Sequence, residues 1–377
     1  QPVRTIQSCQ LNTAKTACDA TGATFSKTET FDNLLRLIQV QSTDIANSTS
    51  RYQQFAYDSN SQLTFSAYHS DKAGQTKGIS QTYDALQRPH ITTISGGGSE
   101  TVTYGAGNTR TVKNANGNST TTTYQAFGSP AYDQATKIVS PESVITTLAV
   151  NVLGIVDSVT QSGPNKAGDG TVSQTQYHLY DANKQLCLVK RKDVGNTAYS
   201  RNAFGEVLWL VQGVADSETC LSEPSKESSN KVSFSYDNLG DLSKTAYSDS
   251  IINNTPDVTY TRDNQGNLTT LSAGVTTQTY SYNSLNAITS ETLALDGKSL
   301  NVKYGYNKQG DLSDTTYPDG DVITYAPNAF GEPTQAVSTG QSYATDATYH
   351  PNGLLKSFTF GNGIVHKMTL NDRQLPS

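Results

Sequence analysis

The side chains best suited to metal ligation or proton transfer are five histidines, His69, His90, His178, His350 and His366. None lies within four residues of another, and no His-Glu-x-x-His pattern occurs, so the sequence encodes no local metal pair. A Gly-x-Ser-x-Gly nucleophile elbow and a phosphate-cradling Gly-x-x-x-x-Gly-Lys-Ser/Thr loop are also missing. Gly96-Gly97-Gly98-Ser99-Glu100 leads into a strand pattern and reads as a turn. Two carboxylates in a tyrosine-lined groove could cleave a glycosidic bond. Most Asp and Glu residues here, however, recur with a fixed period at turns, where Asp bonds its own backbone. Glu206 and Asp216 stand outside that period and are the residual acid candidates. No catalytic, cofactor-binding or metal-binding residue is assigned, and a non-enzymatic role without cofactor is expected.

The four cysteines form two local groups, Cys9 with Cys18 and Cys187 with Cys220. An even count without Cys-x-x-Cys spacing suits two disulfides in an oxidising compartment. Four buried thiols in a reducing compartment are the alternative.

These residues sit in a chain of 377 residues that is only 34% apolar and 16% charged. Thr, Ser, Asn, Gln and Gly fill the difference. With 21 Tyr and 10 Phe against one Trp and one Met, the core must come from Tyr, Val, Ile and Leu, which are strand formers. A formal net charge of −6 without a basic stripe argues against a nucleic-acid partner, and none is expected. No apolar run is long enough to span a membrane as a helix.

What positions the polar residues is a repeated phrase. Tyr236-Asp237-Asn238-Leu239-Gly240-Asp241-Leu242 returns as Tyr306-Asn307-Lys308-Gln309-Gly310-Asp311-Leu312. With Gly replaced, it returns as Tyr57-Asp58-Ser59-Asn60-Ser61-Gln62-Leu63 and Tyr180-Asp181-Ala182-Asn183-Lys184-Gln185-Leu186. Looser copies begin at Phe31 (with Asp32), Tyr83 (with Asp84), Tyr124, Arg201, Arg262, Tyr282, Pro327, Tyr349 (with Gly353) and Leu370; a worn copy is read near 150. Between them run period-two strands closed by Asn-Gly and Asp-Gly pairs, the signature of tight primed hairpins. A unit of about 20–26 residues holds two strands and two turns, and stacked neighbours bury what one hairpin cannot. The fold expected is therefore all-β, a repeat array of β-hairpins forming a spiralling sheet strip. Residues 1–30 form a cysteine-containing N-terminal segment and 31–377 the array, with an irregular insertion around 208–231. The turn between the aromatic at position one and the apolar residue at position seven leaves their relative faces unassigned.

A dozen such phrases in series resemble the YD-repeat or Rhs-repeat proteins, over residues 31–377. Gln185-Leu186-Cys187 with Ala203-Phe204-Gly205-Glu206-Val207 and Cys220 is similar to a cysteine-bearing segment of large secreted bacterial members of the wall-associated and contact-dependent toxin type. The resemblance implies a β-strip that winds into a hollow shell or runs as a rod and encloses or displays a toxin or passenger. It also implies a secreted or cell-surface bacterial protein, whose partner is the remainder of its own polypeptide. The family's C-terminal Asp-Pro-x-Gly self-cleavage phrase has no counterpart here. The chain opens without Met and closes on what reads as the start of another phrase, so a segment of a longer protein is expected. The alternative function is an adhesive module in which Tyr faces stack on cell-surface glycans, or one that self-associates into filaments through an open strand edge.

Overall fold

In the computed structural model, residues 2–11, 18–126, 131–168, 170–222, 231–248 and 255–377 are described, those at 7–11 and 18–24 by backbone alone. The architecture is all-β. Thirty strands and a single 3₁₀ turn, Pro141–Ser143, make up its regular structure among these residues. Every described ladder is antiparallel, and each joins strands that follow one another in the chain, as Leu37–Asp44 with Thr49–Tyr57 and Val156–Pro164 with Thr171–Tyr180. This is the meander that short hairpin connections dictate.

The chain forms two compact units. One comprises Gln1–Thr101, Asn283–Ser290 and Asn301–Ser377, and the other Val102–Tyr282 with Glu291–Leu300. In the first unit, early and late repeats meet. Phe25 lies edge-on to Phe330 at 6.1 Å between ring centres, the Arg51 guanidinium sits 3.9 Å above the same ring, and Lys77 pairs with Asp372. In the second unit the densest packing surrounds Trp209, with Cys187, Leu188, Ala198 and Val211 buried against it.

Deeply buried apolar side chains are few, and the strands are joined by another device. Thr43 and Ser50, Thr93 and Ser99, Thr111 and Thr121, Thr160 and Thr175, and Thr348 and Ser357 face one another across ladders with hydroxyl oxygens 2.7–2.9 Å apart. Each pair occupies directly opposed register positions. The abundance of Thr and Ser thus has a structural use, since opposed hydroxyls supply cross-strand bonding without an apolar core.

The turns differ from the tight hairpins expected at Asn-Gly and Asp-Gly. Asp296-Gly297 does make a two-residue turn with both residues at positive φ, 49° and 74°. Gly117, Gly320, Gly353 and Gly363 instead close five-residue loops, in which the amide of the glycine donates to a carbonyl three residues back. A side chain that caps the loop makes the longer turn competitive, as the next subsection describes. Ser162, Gly163 and Pro164 close the strand Val156–Pro164, and the Asn165 amide donates to the Gly170 carbonyl beyond it.

The Cys187–Cys220 disulfide forms, with Cα atoms 5.4 Å apart. Within the span 208–231, residues 208–214 belong to the strand Val207–Val214, and the segment after it returns Cys220 to the Trp209 core. Lys190 ties the same segment down through Asp216 at 2.9 Å and Glu218 at 2.7 Å. Cys9 and Cys18 lie on strands Val3–Leu11 and Cys18–Phe31, but their side chains, and the bridge expected between them, lie outside the described residues.

Candidate functional site

The repeated phrase folds into one recurring loop. Its Asx residue is Asp32, Asp58, Asp84, Asn114, Asn151, Asp181, Asn202, Asp237, Asp263, Asn283, Asn307, Asn328 or Asn371. In each copy the Asx amide donates to the carbonyl four residues on, and the Asx carbonyl accepts the amide three residues on. The Asx Oδ1 accepts two more amides, from the second and fourth residues after it. Asp and Asn serve alike because the loop asks only for a short side-chain acceptor.

The residue three after Asx takes positive φ in every copy, whether or not it is glycine. Gly240 and Gly310 stand at 85° and 92°, and Leu35, Ser61, Gln87, Lys184, Asn286 and Gln374 between 57° and 65°. The glycine of the phrase is thus a preference of the backbone, which the loop's four hydrogen bonds can override.

Three Asp carboxylates in these loops, Asp32, Asp84 and Asp263, are held below the usual range. For Asp32 the leading cause is the Arg36 amide, for Asp84 the Arg88 guanidinium, and for Asp263 the Asn267 side-chain amide.

The aromatic at position one and the apolar residue at position seven are direct cross-strand partners across a one-residue bulge. Tyr57 faces Leu63, Tyr180 faces Leu186, Tyr236 faces Leu242 and Tyr306 faces Leu312. Both therefore lie on the same face of the sheet.

The tyrosine hydroxyl then reaches the preceding repeat. Tyr83 donates to the carbonyl of Leu63, Tyr180 to Val156, Tyr236 to Val207, Tyr282 to Leu268, Tyr306 to Ile288 and Tyr349 to Pro333, at 2.6–2.9 Å. In every case the acceptor is position seven of the previous phrase. Arg201 and Arg262, which replace Tyr in two copies, reach the equivalent carbonyls of Leu186 and Leu242. A ring with a polar tip can fill the face and bond that carbonyl together. Burial raises the pKa of Tyr180 and Tyr349, keeping both phenols protonated as donors. Phe31 has no hydroxyl, and Tyr57 lies instead under the Arg36 guanidinium at 5.0 Å.

The alternation of Tyr with Arg at position one was the sequence signal for this latch, since the two share only reach and a donor. Three loops of the same five-residue closure do not carry the phrase. Asn114 follows Lys113 rather than an aromatic, while Tyr317 and Phe360 stand where Asx is expected. At the Tyr349 copy His350 takes the Asx place, and Asn352 caps Leu354 in its stead. The Tyr124 copy runs into residues outside those described.

The residues weighed for chemistry are dispersed. His178 Nδ1 meets the Val156 carbonyl at 3.1 Å, His350 Nε2 meets the Met368 carbonyl at 3.0 Å, and His366 stacks on Phe358. The His69 carbonyl accepts from Gln374 at 2.7 Å. His90 lies in the strand Pro89–Ile94. Glu206 contacts the Asn202 side chain inside its own loop, and Asp216 pairs with Lys190. Among the described residues no cluster of three His, Cys, Asp or Glu side chains has metal-binding geometry, and no helix is long and apolar enough to cross a membrane.

No family model matches this chain, and no curated protein does. Solved structures do. The chain is similar to a TcdB2-TccC3 structure at 11% identity and TM-score 0.63, over 100% of this chain and 22% of that one. It is similar to TcdB2-TccC3 without its hypervariable C-terminal region at 11% identity and TM-score 0.61, over 95% and 20%. A Photorhabdus luminescens Tc holotoxin pore with a mutated TccC3 matches at 14% identity and TM-score 0.58, over 93% and 20%. The chain spans about a fifth of the length of these chains, and at such identity the likeness is one of fold.

Proposed function

We propose that this chain is a non-catalytic structural segment of a secreted bacterial YD-repeat protein, whose hairpin strip houses or displays another part of the same polypeptide. The observation that carries the reading is the latch: in eight copies the residue at position one donates to the position-seven carbonyl of the preceding phrase, while the recurring Asx and Gly close the loop of their own phrase. Asp, Asn and Tyr at these positions are engaged by backbone, which supports a structural role for them. The fold likeness to toxin-complex chains supports a toxin-housing role, and the Cys187–Cys220 bridge supports an oxidising compartment.

The test is limited proteolysis of the complete native polypeptide. If the strip houses a passenger, segments outside it resist protease until the strip is loosened by combined Tyr236→Phe, Tyr282→Phe and Tyr306→Phe changes, and are then cut at rates rising with the number of latches removed. Equal protection with and without the latches, or substrate turnover lost on a point change outside the loops, would overturn the proposal.

A further inference from the structure

The pentapeptide Asn-Ala-Phe-Gly-Glu occurs twice, at Asn202–Glu206 and at Asn328–Glu332. Both copies form the Asx-capped loop, with Gly205 and Gly331 at positive φ of 87° and 78°. In both, the Asx side-chain amide is turned onto the glutamate. Sequence and local backbone are thus the same, and their surroundings differ.

The second copy is seated. Its Phe330 ring packs against Phe25 and beneath the Arg51 guanidinium, and Arg51 Nη2 donates to Glu332 Oε2 at 2.6 Å. The Ala329 amide donates to Asp44 Oδ2 at 3.3 Å. Asp44 is 1% exposed and also accepts the Asn47 amide and side chain. The receiving face is three strands wide: Phe25 and Asp44 are register partners, as are Ser42 and Arg51. It offers an aromatic ring, a guanidinium that serves ring and carboxylate at once, and a buried carboxylate for a backbone amide.

The first copy carries the same plug without that seat. Phe204 is 90% exposed at the tip of its loop. Residues at this position elsewhere are often apolar and exposed as well (Leu34, Leu86, Leu239 and Leu285), but only Phe204 is followed by the Gly-Glu that completes the seated pentapeptide. What sets Phe204 apart from those leucines is the pentapeptide it shares with a copy whose ring, carboxylate and amide are all seated.

We propose that the Asn202–Glu206 loop is a docking plug for a partner strand face that presents an arginine, an aromatic ring and a buried carboxylate. Phe204 stacks on that arginine, Glu206 pairs with it, and the Ala203 amide donates to the carboxylate. A second copy of this chain does not offer the seat while its own Phe25–Asp44–Arg51 face holds the Phe330 loop. The partner is therefore a strand pair of other sequence but the same three-group chemistry. The inference does not depend on whether the strip encloses a passenger.

The test is photo-crosslinking in the complete native polypeptide, isolated in its natural assembly. Benzoylphenylalanine replaces Phe204 in one sample and Asn183 in another, the latter at the same position of a loop with a polar tip. Mass spectrometry then maps the adducts. We expect the adduct at 204 to exceed that at 183 by about tenfold, and to fall on one strand segment holding an arginine and an Asp or Glu. Adding Glu206→Gln should lower its yield about three- to fivefold, as a lost ion pair beside a stacked guanidinium implies. Equal yields at 204 and 183, an adduct on a peptide without arginine and carboxylate, an adduct on a second copy of this chain, or indifference to Glu206→Gln would each overturn the proposal. Since Phe204 is exposed, its replacement spares the core, and the circular dichroism spectrum should be unchanged.

Discussion

A tyrosine that spends its hydroxyl on a neighbouring carbonyl contributes at two places, and the two can be separated. Tyr306→Phe keeps the ring opposite Leu312 and removes the bond to the Ile288 carbonyl, 2.6 Å away. A loss of about 1 kcal/mol is expected, at the upper end if the carbonyl stays dry. Native-state hydrogen exchange of strand Lys298–Tyr306 should report it as a roughly fivefold rise in opening. The backbone position three residues after Asx gives a complementary test. Leu35 is 70% exposed and held at φ 62°, so Leu35→Gly forfeits little packing and should stabilise by about 0.5–1 kcal/mol. Gly310→Ala at φ 92°, where an added Cβ meets no atom within 4 Å, should destabilise by a similar amount through the backbone alone. Urea unfolding midpoints moving in the same direction for both variants would contradict this account. At this scale the sequence was only partly legible. Asp, Gly and Tyr announced themselves by recurrence, but Lys184 and Gln374 adopt the glycine conformation with no local sign of it, because hydrogen bonds spaced over five residues impose it.

The loop is the element that carries the array, and it has a pH signature. In Asp32, Asp84 and Asp263 the folded pKa is depressed, so their stabilisation is present above the unfolded carboxylate value of about 4 and is lost as pH falls through the lower folded values. Copies capped by Asn, such as Asn114 and Asn283, have nothing to titrate. Converting the three aspartates to asparagine should therefore flatten the fall of the urea midpoint between about pH 5 and pH 2 while leaving the cap geometry in place. An unchanged acid slope would mean that other carboxylates dominate. The existence of strands and their grouping in pairs could be read from the period. Loop length could not, because Asn-Gly signals positive φ equally for a two-residue turn and for a five-residue loop. Nor could the facing of tyrosine and leucine, which depends on a bulge that skips one residue and so shifts the period-two count.

At the scale of the compact unit, contacts between residues some 280 positions apart lie beyond any periodicity. Arg51 meets Glu332 and Phe330 inside the first unit, with its side chain and that of Glu332 17% and 13% exposed. Arg51→Ala should cost about 2–3 kcal/mol, more than a surface pair, because it strands a half-buried carboxylate and uncovers a ring. Faster exchange of the Ala329 amide, with strand Val156–Pro164 of the other unit unaffected, is the expected observation. Uniform loosening of both units would argue against a local seam. Nothing in Arg51 or Phe330 alone marks them as neighbours.

The latch also has a direction along the chain. Its acceptor always belongs to the earlier phrase and its donor to the later one, as Val207 precedes Tyr236 and Ile288 precedes Tyr306. A polypeptide leaving the ribosome N-terminus first therefore presents each new ring to a carbonyl already in place. The strip can be laid down one unit at a time during synthesis, without waiting for residues still to be translated. The contacts between early and late repeats must wait: Arg51 can meet Glu332 once translation of the array has passed Glu332, and Lys77 can meet Asp372 only later still.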